Sequence, residues 1–583
     1  MSCGSCEHDS VCAVIDYDGS LVSNKINRYE NDSISISAKS SDPSYDRTFQ
    51  RGTINYMSWR HIGLLVSTLS AGGLNTCLKR ALLPLLEAEL KMERYQVDAA
   101  NVLLLLPWSY TFVGGFISDT LPILGSRRKA YIVLGWIVSL ISCFAIAILN
   151  YTLEFKAQSS HVATEEALRQ RVALIDWYVA LLVLASFGCI LTLVISETYV
   201  VAQTRREPLK MRGRALGTLL LTQFTGELVG QIVSDTAIFH ISELGIIPLV
   251  SFRETAMFFM FYSLLPILAL LFLFHEEMNP PAIHDVDADD TQSHIVEQIG
   301  NLPVDWLPRL RANWLRLRKA LARKSTVYVI RFFMIYVFLS EFTLTYPHAQ
   351  LAIWCNFTDK AQSSSNISSE VFYVLSVATW KYGALNWNWR YCVIISLIVM
   401  MMVPQLIFYI MASISINLRS QETYSFITAL RGFVRASIII LEAAVCAEIA
   451  PVDGEGAFVG IIVSMSTIMR LLSTTFSNCL GYAFGKPSSQ DTEEDADEVT
   501  FSLGICYMIK LLSVLALYFL PKQKRDLQRL HRYGAQGDTN TTWWVLGSLG
   551  CAFMISAAFN VLAVVPSTSC LQIVGGAGCN GSR

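Results

Sequence analysis

Thirteen blocks of mostly apolar residues, each about 20 long, alternate with polar connectors along the chain. They fall at roughly 60–84, 98–120, 130–150, 173–199, 215–237, 254–274, 327–349, 369–387, 390–412, 425–449, 456–484, 499–520 and 543–565. A block of this length crosses about 30 Å of hydrocarbon as an α-helix. The pattern therefore predicts an all-α, polytopic membrane protein. The eighth block is the weakest, because Lys381, Asn386 and Asn388 stand at its end. Residues 1–56 are polar and serine-rich and lack an apolar signal-peptide core, so a disordered cytoplasmic tail is expected there. The longest connector, 275–326, separates six blocks from seven. Its first half is acidic (Glu276, Glu277, Asp285, Asp287, Asp289, Asp290), and its second half is basic and amphipathic from Trp306 to Lys324. The expected parts are an N-terminal six-helix half over 57–274, a cytoplasmic linker with an amphipathic helix over 275–326, and a C-terminal six-helix half over 327–520. A basic cytoplasmic connector over 521–542 then leads to an extra transmembrane helix and outside tail over 543–583.

Composition supports the membrane reading. Of the 583 residues, 53% are hydrophobic and 16% charged, against about 25% charged in soluble domains, and mean hydropathy is +0.42. A disordered chain, a collagen-like chain and an ordinary soluble enzyme are excluded. Net charge of −2 offers no basic field for nucleic acid. Fourteen cysteines are too dilute for a disulfide scaffold. Cys3, Cys6, His8 and Cys12 can be read as a small metal site or palmitoylation sites. No second ligand pair closes a zinc site, so free thiols in a tail are the favoured reading, and no metal or cofactor is expected.

Charge placement sets the orientation. Counted from a cytoplasmic N-terminus, the inside connectors 127–129, 205–214, 309–324 and 522–532 carry 20 Lys and Arg, and six outside connectors carry 9. Positive charge belongs inside. Two sequons, Asn356-Phe-Thr and Asn366-Ile-Ser, then fall in one outside loop as expected glycosylation sites, whereas Asn540 lies inside. The tail beyond the last span lies in an oxidising space. Cys570 and Cys579 there can close a disulfide across a glycine-rich stretch; two free thiols are the alternative.

Two motifs bear on mechanism. After the second span the chain reads Gly114-Gly-Phe-Ile-Ser-Asp119, followed by Arg127-Arg128-Lys129. The glycines let helices approach closely. An aspartate at a helix end can pair with Arg127 and Arg128 and lock one state of an alternating-access machine; a capping aspartate in a positive-inside loop is the plainer reading. The spacing resembles the signature between the second and third helices of the major facilitator superfamily. Next, Glu197 near the end of span 4 leads to Pro208 and Arg212-Gly213, and Glu448 near the end of span 10 leads to Pro451 and Gly454-Glu455-Gly456. A repeated carboxylate, proline and glycine order marks a duplicated transporter, with Glu448 in the place related to Glu197.

The stretches Ile117–Tyr131, Arg206-Glu-Pro with Arg212-Gly, and Gly454-Glu-Gly-Ala-Phe resemble the folate–biopterin transporter family. The ending Ser567–Cys579 is similar to that of its oomycete branch. The resemblance implies a major facilitator fold and uptake of pterins or folates. The family usually has Asp where Glu197 stands and a second acid where Ala202 stands, and Lys79-Arg80 in span 1 is unusual for it.

Buried charge is a separate guide, because a charge in the hydrocarbon core costs roughly 2.5–3.5 kcal/mol and is paired or functional. Candidates are Lys79, Arg80, Glu197, Glu227, Asp235, Glu341, Arg431, Arg435, Glu442, Arg470 and Lys510. For any one of them, structural pairing is the first expectation. A folate-like substrate needs a cation for its carboxylates (Lys79, Arg80 or Arg431), aromatic faces for its ring (Trp108, Tyr110), and a carboxylate for the ring's donor edge (Glu197 or Glu227). Aromatics in spans more often serve packing. Glu197 can also carry a coupling proton, with Arg431 or Lys79 as its cation when one gate is closed. The chain has neither H-E-x-x-H nor G-x-x-x-x-G-K-[ST], so zinc proteolysis and P-loop ATP use have no signature. The expectation is a secondary transporter of a small organic anion in the lipid bilayer of the plasma membrane or an organelle, with protons as the coupling ion. The alternatives are carriage of another organic solute, or a transporter-like receptor or scaffold that moves nothing.

Overall fold

A computed structural model describes residues 56–82, 84–85, 103–123, 125–159, 175–242, 245–276, 306–480, 493–534 and 539–564. Cys3, Cys6, His8, Cys12, Cys570 and Cys579 lie outside the described residues, as does most of the 1–56 tail. In the first half, α1 (Ile62–Cys77), α2 (Thr111–Thr120), α3 (Lys129–Ser159), α4 (Ile175–Thr204) and α5 (Arg214–Val233) are followed by a hairpin, β1 (Phe239–Ser242) and β2 (Gly245–Pro248). Two helices, α6 (Phe252–Tyr262) and α7 (Leu264–Leu273), form span 6, and α8 (Trp306–Ala322) is the amphipathic helix of the connector. The second half holds α9 (Lys324–Ser340), α10 (Thr345–Trp354), α11 (Asp359–Thr379), α12 (Trp389–Ile394), α13 (Val403–Ile414), α14 (Gln421–Ala429), α15 (Arg431–Ile449), α16 (Glu455–Leu480) and α17 (Glu493–Leu512). A short basic helix, α18 (Lys524–Tyr533), and the last span, α19 (Thr539–Val564), complete the chain.

The packing is that of a duplicated bundle. Span 1 packs on spans 5 and 6, span 3 on spans 4 and 6, and span 2 on span 4. The same pattern recurs six spans later: 7 on 11 and 12, 9 on 10 and 12, and 8 on 10. Across the middle, α2 meets α16 and α5 meets α11, a pair of contacts that also exchange under the repeat. The last span, α19, is added against α16 and α8. Small residues permit the closest approaches. A Cβ on Gly226 of α5 would lie 2.1 Å from the Leu69 carbonyl oxygen, and one on Gly230 would lie 2.5 Å from that of Gly73. In a membrane, where apolar burial gives helices little reason to associate, such backbone contact supplies the van der Waals attraction instead.

Among the described residues, six helical segments are long and apolar enough to cross a membrane unaided: Lys129–Tyr151, Trp177–Thr204, Phe252–Leu273, Trp389–Ile414, Glu455–Ser477 and Ala496–Phe519. The predicted spans that fall short carry charges or breaks. Span 1 passes into a π-turn at Leu78–Leu82 that holds Lys79 and Arg80, and span 2 opens with a 3₁₀ turn at Leu106–Tyr110. Span 7, expected as one helix over 327–349, breaks after Ser340, where Glu341 turns inward, and resumes at Thr345. Span 10 breaks at Leu430, just before Arg431.

Span 8 differs most from expectation. Its helix begins at Asp359, where Thr358 caps it by accepting from the Ala361 N–H at 3.5 Å. Residues 359–368, expected as an outside loop, are helical because serines on this turn bond across to α14, as Ser365 does with Thr428 at 2.9 Å. Asn366 therefore sits within a helix, its side-chain oxygen accepting from Gln362 at 3.0 Å. Asn356 is exposed in a turn with φ of 47°. Asn356→Gln is expected to remove the glycan-dependent gel shift of this protein, with Asn366→Gln leaving it in place. A shift that survives Asn356→Gln would show the glycan to be elsewhere.

Candidate functional site

All the basic connectors meet at one end of the bundle, and a buried charge network joins the halves there. Asp119, at the last turn of α2, accepts from Arg128 Nη2 at 2.5 Å and from the backbone N–H groups of Gly456 and Ala457 at 3.2 and 2.8 Å. Those are the free N–H groups of the first turn of α16, where a carboxylate also meets the positive end of the helix dipole. Glu455 approaches Arg128 at 3.6 Å and Arg205 at 3.4 Å. Arg127 pairs with Asp453 at 2.7 Å, and Arg212 pairs with Glu448 at 3.2 Å. Glu448 also accepts from Gln528 of α18 at 2.6 Å. The connector helix lies over this closure: Asn313 donates to the Asp119 carbonyl at 3.3 Å, and Arg316 reaches Asp453 at 3.9 Å. Contact this close needs two glycines, since a Cβ on Gly115 would lie 2.0 Å from the Gly456 carbonyl oxygen.

The Arg206-Glu207-Pro208 motif has a local explanation. Glu207 accepts from the N–H groups of Gly213 and Ala215 at 2.7 and 3.0 Å and so caps α5. Gly213 has φ of 98°, which favours glycine. Nearby, His531 bonds to Ser325 at 3.1 Å and to Arg323. Burial and the adjacent Arg323 guanidinium push its pKa down to about 4.

Toward the opposite end lies a cavity of about 270 Å³. Arg80 comes to its wall from the first half, and Arg431 and Arg435 come from α15 in the second half, with Phe357 and Tyr424 as aromatic faces. Behind the two arginines, Glu341 receives Arg431 at 2.5 Å, Arg435 at 2.8 Å and Arg470 at 3.6 Å. One carboxylate against three guanidiniums leaves a cationic wall. Glu227 accepts from Gln223 at 3.0 Å, and Asp235 accepts from Gln231 at 2.8 Å and from Ser363 of α11.

Matched against known families, residues 72–536 fit the model of the BT1 family. That match spans most of the chain. The protein belongs to the BT1 family. No curated protein matches the chain. Among solved structures, the proton:xylose symporter XylE bound to 6-bromo-6-deoxy-D-glucose aligns at 13% identity and a TM-score of 0.46, covering 80% of this chain and 98% of that one. The human organic anion transporter MFSD10 aligns at 13% identity and a TM-score of 0.44, over 78% and 98% of the two chains. The transporter FucP in its outward conformation aligns at 13% identity and a TM-score of 0.46, over 78% and 97%. The BT1 family is that of the folate–biopterin transporters, and this member is a multi-pass secondary transporter of a small molecule.

In this BT1 protein the expected residues fall in separate places. Asp119, Arg127, Arg128 and Glu448 all belong to the network at the basic end. Arg80 and Arg431 line the cavity. Trp108 and Tyr110 do not join them: Tyr110 packs edge-on against Phe553 of the last span at 4.8 Å, and Trp108 is partly buried against the core. The expected cation for Glu197 is also corrected. Arg431 is engaged by Glu341, and among the described residues no cation lies within 4 Å of Glu197. The charge that acts on Glu197 is another buried carboxylate, Glu442 of α15. Glu442, two helical turns before Glu448, is thus the second-half carboxylate whose charge reaches Glu197. Sequence reasoning marked Glu442, Arg435 and Arg470 as intramembrane charges without giving them roles. It missed Asp453, Glu455 and Arg205 in the closure, and the acidic Gly454-Glu455-Gly456 turn facing a basic connector was the available signal.

Proposed function

We propose that this protein carries a pterin- or folate-type organic anion by alternating access, coupled to protons. The observation that supports this most is the cavity wall built from Arg80 of one half and Arg431 and Arg435 of the other, beside Phe357 and Tyr424. Arginine forks suit carboxylates, and aromatic faces suit a flat heterocycle. A ligand spanning both sets of arginines interacts with both halves, as a carrier that rocks one half against the other requires. The cavity of about 270 Å³ falls just below the roughly 300–1,000 Å³ of pockets that enclose drug-sized ligands. A pterin fits such a space as it stands, and a whole folate needs the outer end to open farther. The ion-pair network at the basic end acts as the inner gate in this reading, and Glu197 with Glu442 carries the proton.

Uptake of radiolabelled biopterin and folate into proteoliposomes tests the proposal. Saturable accumulation is expected. Arg431→Gln is expected to raise KM about 30-fold, the effect of losing roughly 2 kcal/mol from a buried charged contact. Binding without accumulation would make the protein a receptor or scaffold. Accumulation of sugars or nucleosides alone would make it a carrier of another organic solute.

A further inference from the structure

One carboxylate beside the cavity wall has no part in the reading above. Glu370 lies on α11, one residue past Ser369, which lines the cavity. Its Oε2 is buried and has no hydrogen-bond partner. Among the described residues it makes no ion pair within 4 Å, and neither does Arg80. A buried acceptor left unmatched is costly and calls for an explanation. The charges acting on Glu370 come from three other elements: Glu227 of α5, Arg80 and Lys79 of the span 1 turn, and Arg435 of α15. Two of those cations, Arg80 and Arg435, are the ones that line the cavity from opposite halves.

An anion carrier meets a difficulty when it is empty. With cargo bound, the cavity arginines are neutralised. Without cargo, closing the outer end would enclose Arg80, Arg431 and Arg435 while Glu341 is shared among Arg431, Arg435 and Arg470, and excess charge enclosed in a low-dielectric interior is expensive. A carboxylate next to the cavity wall that can move in when the cavity empties removes that cost. We infer that Glu370 is an internal stand-in for the substrate's carboxylate, engaging Arg80 and Arg435 in the empty carrier so that it can change state without cargo. In the present structure, with the cavity formed, Glu370 stands back from Arg80. When substrate enters, its carboxylate takes the arginines and Glu370 remains apart. The inference rests on the cavity being an anion site, and it assigns Glu370 to the return step of the empty carrier, not to substrate contact.

The test compares two modes of folate movement in proteoliposomes: net uptake into empty vesicles, which needs the empty carrier to return, and exchange into folate-loaded vesicles, which does not. Glu370→Gln is expected to slow net uptake about tenfold or more, to leave exchange within about twofold of wild type, and to lower KM because an internal competitor is gone. Should Glu370→Gln fail to reach the membrane, Glu370→Asp keeps the charge on a shorter arm, and its ratio of exchange to net uptake should rise severalfold. A wild-type ratio and KM in whichever variant is recovered would overturn the role of Glu370 while leaving the anion carrier standing. Wild-type protein that moves folate in neither mode would take both down together.

Discussion

Asp119→Ala is expected to leave a folded protein in the membrane whose uptake is below about one hundredth of wild type. The carboxylate ties three donors from two sides of the closure: Arg128 and the Gly456 and Ala457 N–H groups. Arg128 and Asp119 side chains are 8% and 1% exposed, so the pair is out of reach of water. Removing one partner of such a pair costs about 3–5 kcal/mol, because the remaining guanidinium is enclosed without its direct carboxylate partner, with Ser118 at 2.6 Å and Glu455 at 3.6 Å beside it. That cost falls on the state closed at the basic end and is absent once the end opens. A difference of this size shifts a two-state equilibrium by roughly a hundredfold or more, and a carrier held in one state turns over slowly. The population shift has its own readout. A cysteine introduced by Ser464→Cys, under the closure and bonded to Thr111 at 3.0 Å in the present state, should react with an impermeant thiol reagent from the basic side only in the Asp119→Ala background. Wild-type uptake with an unreactive cysteine would show that the network is not a gate.

Glu197→Gln is expected to remove the pH dependence of uptake while sparing exchange. Glu197 and Glu442 are 8% and 4% exposed, and each lies in the other's field, with Cys446 beside both. Like charges enclosed together repel, and a proton on one of them relieves the repulsion. Glu442 also lies in the field of Arg470, and Arg470 leads through Glu341 to Arg431 and Arg435 at the cavity. In the proposed carrier, this chain of charges is the route by which anion binding at the cavity reaches the acid pair. One coupled proton makes the accumulation ratio change about tenfold per unit of pH difference, and in Glu197→Gln that slope should vanish. The basic-end latch does not confuse the measurement, since His531, with its pKa pushed down to about 4, stays neutral across about pH 5 to 8. Unchanged pH dependence in Glu197→Gln would move coupling elsewhere. Loss of the folded protein would make the acid pair structural.

Half of the charge lock was legible because that half is local in sequence: Asp119 stands at a helix end, nine residues before Arg128. The other half, Asp453 and Glu455, was not, because it comes from a turn more than 300 residues away. The acid pair was half legible. Glu197 is conspicuous in a run of apolar residues, whereas its partner is fixed by the crossing of α4 and α15, and helical phase alone offers Glu442 and Glu448 equally. Trp108 and Tyr110 illustrate the same limit: an aromatic in a span can face a cavity or a neighbouring helix, and here Phe553 of the last span takes Tyr110. Glu370 was not legible. It stands at the first turn of the weakest block, 369–387, next to serines, where a charge reads as interfacial, and only the packing of α11 against α5 and α15 encloses it.

By itself the sequence determined the helical, multi-pass membrane class and the clustering of basic connectors. Each of these follows from a local rule, that apolar length must match hydrocarbon thickness and that positive charge stays on one side. Tertiary structure alone decided which charges meet. A buried charge tolerates the membrane only through its partners, and those partners come from helices hundreds of residues apart, as Asp119 and Gly456 do. The same partnerships accompany the charges and breaks in spans 1, 7, 8 and 10, which are among the seven predicted spans that do not qualify on length and composition alone. Glu341, Arg431 and their neighbours meet in the interior, and four of the continuous apolar helices, spans 3, 6, 9 and 12, leave most of their length unburied toward the lipid.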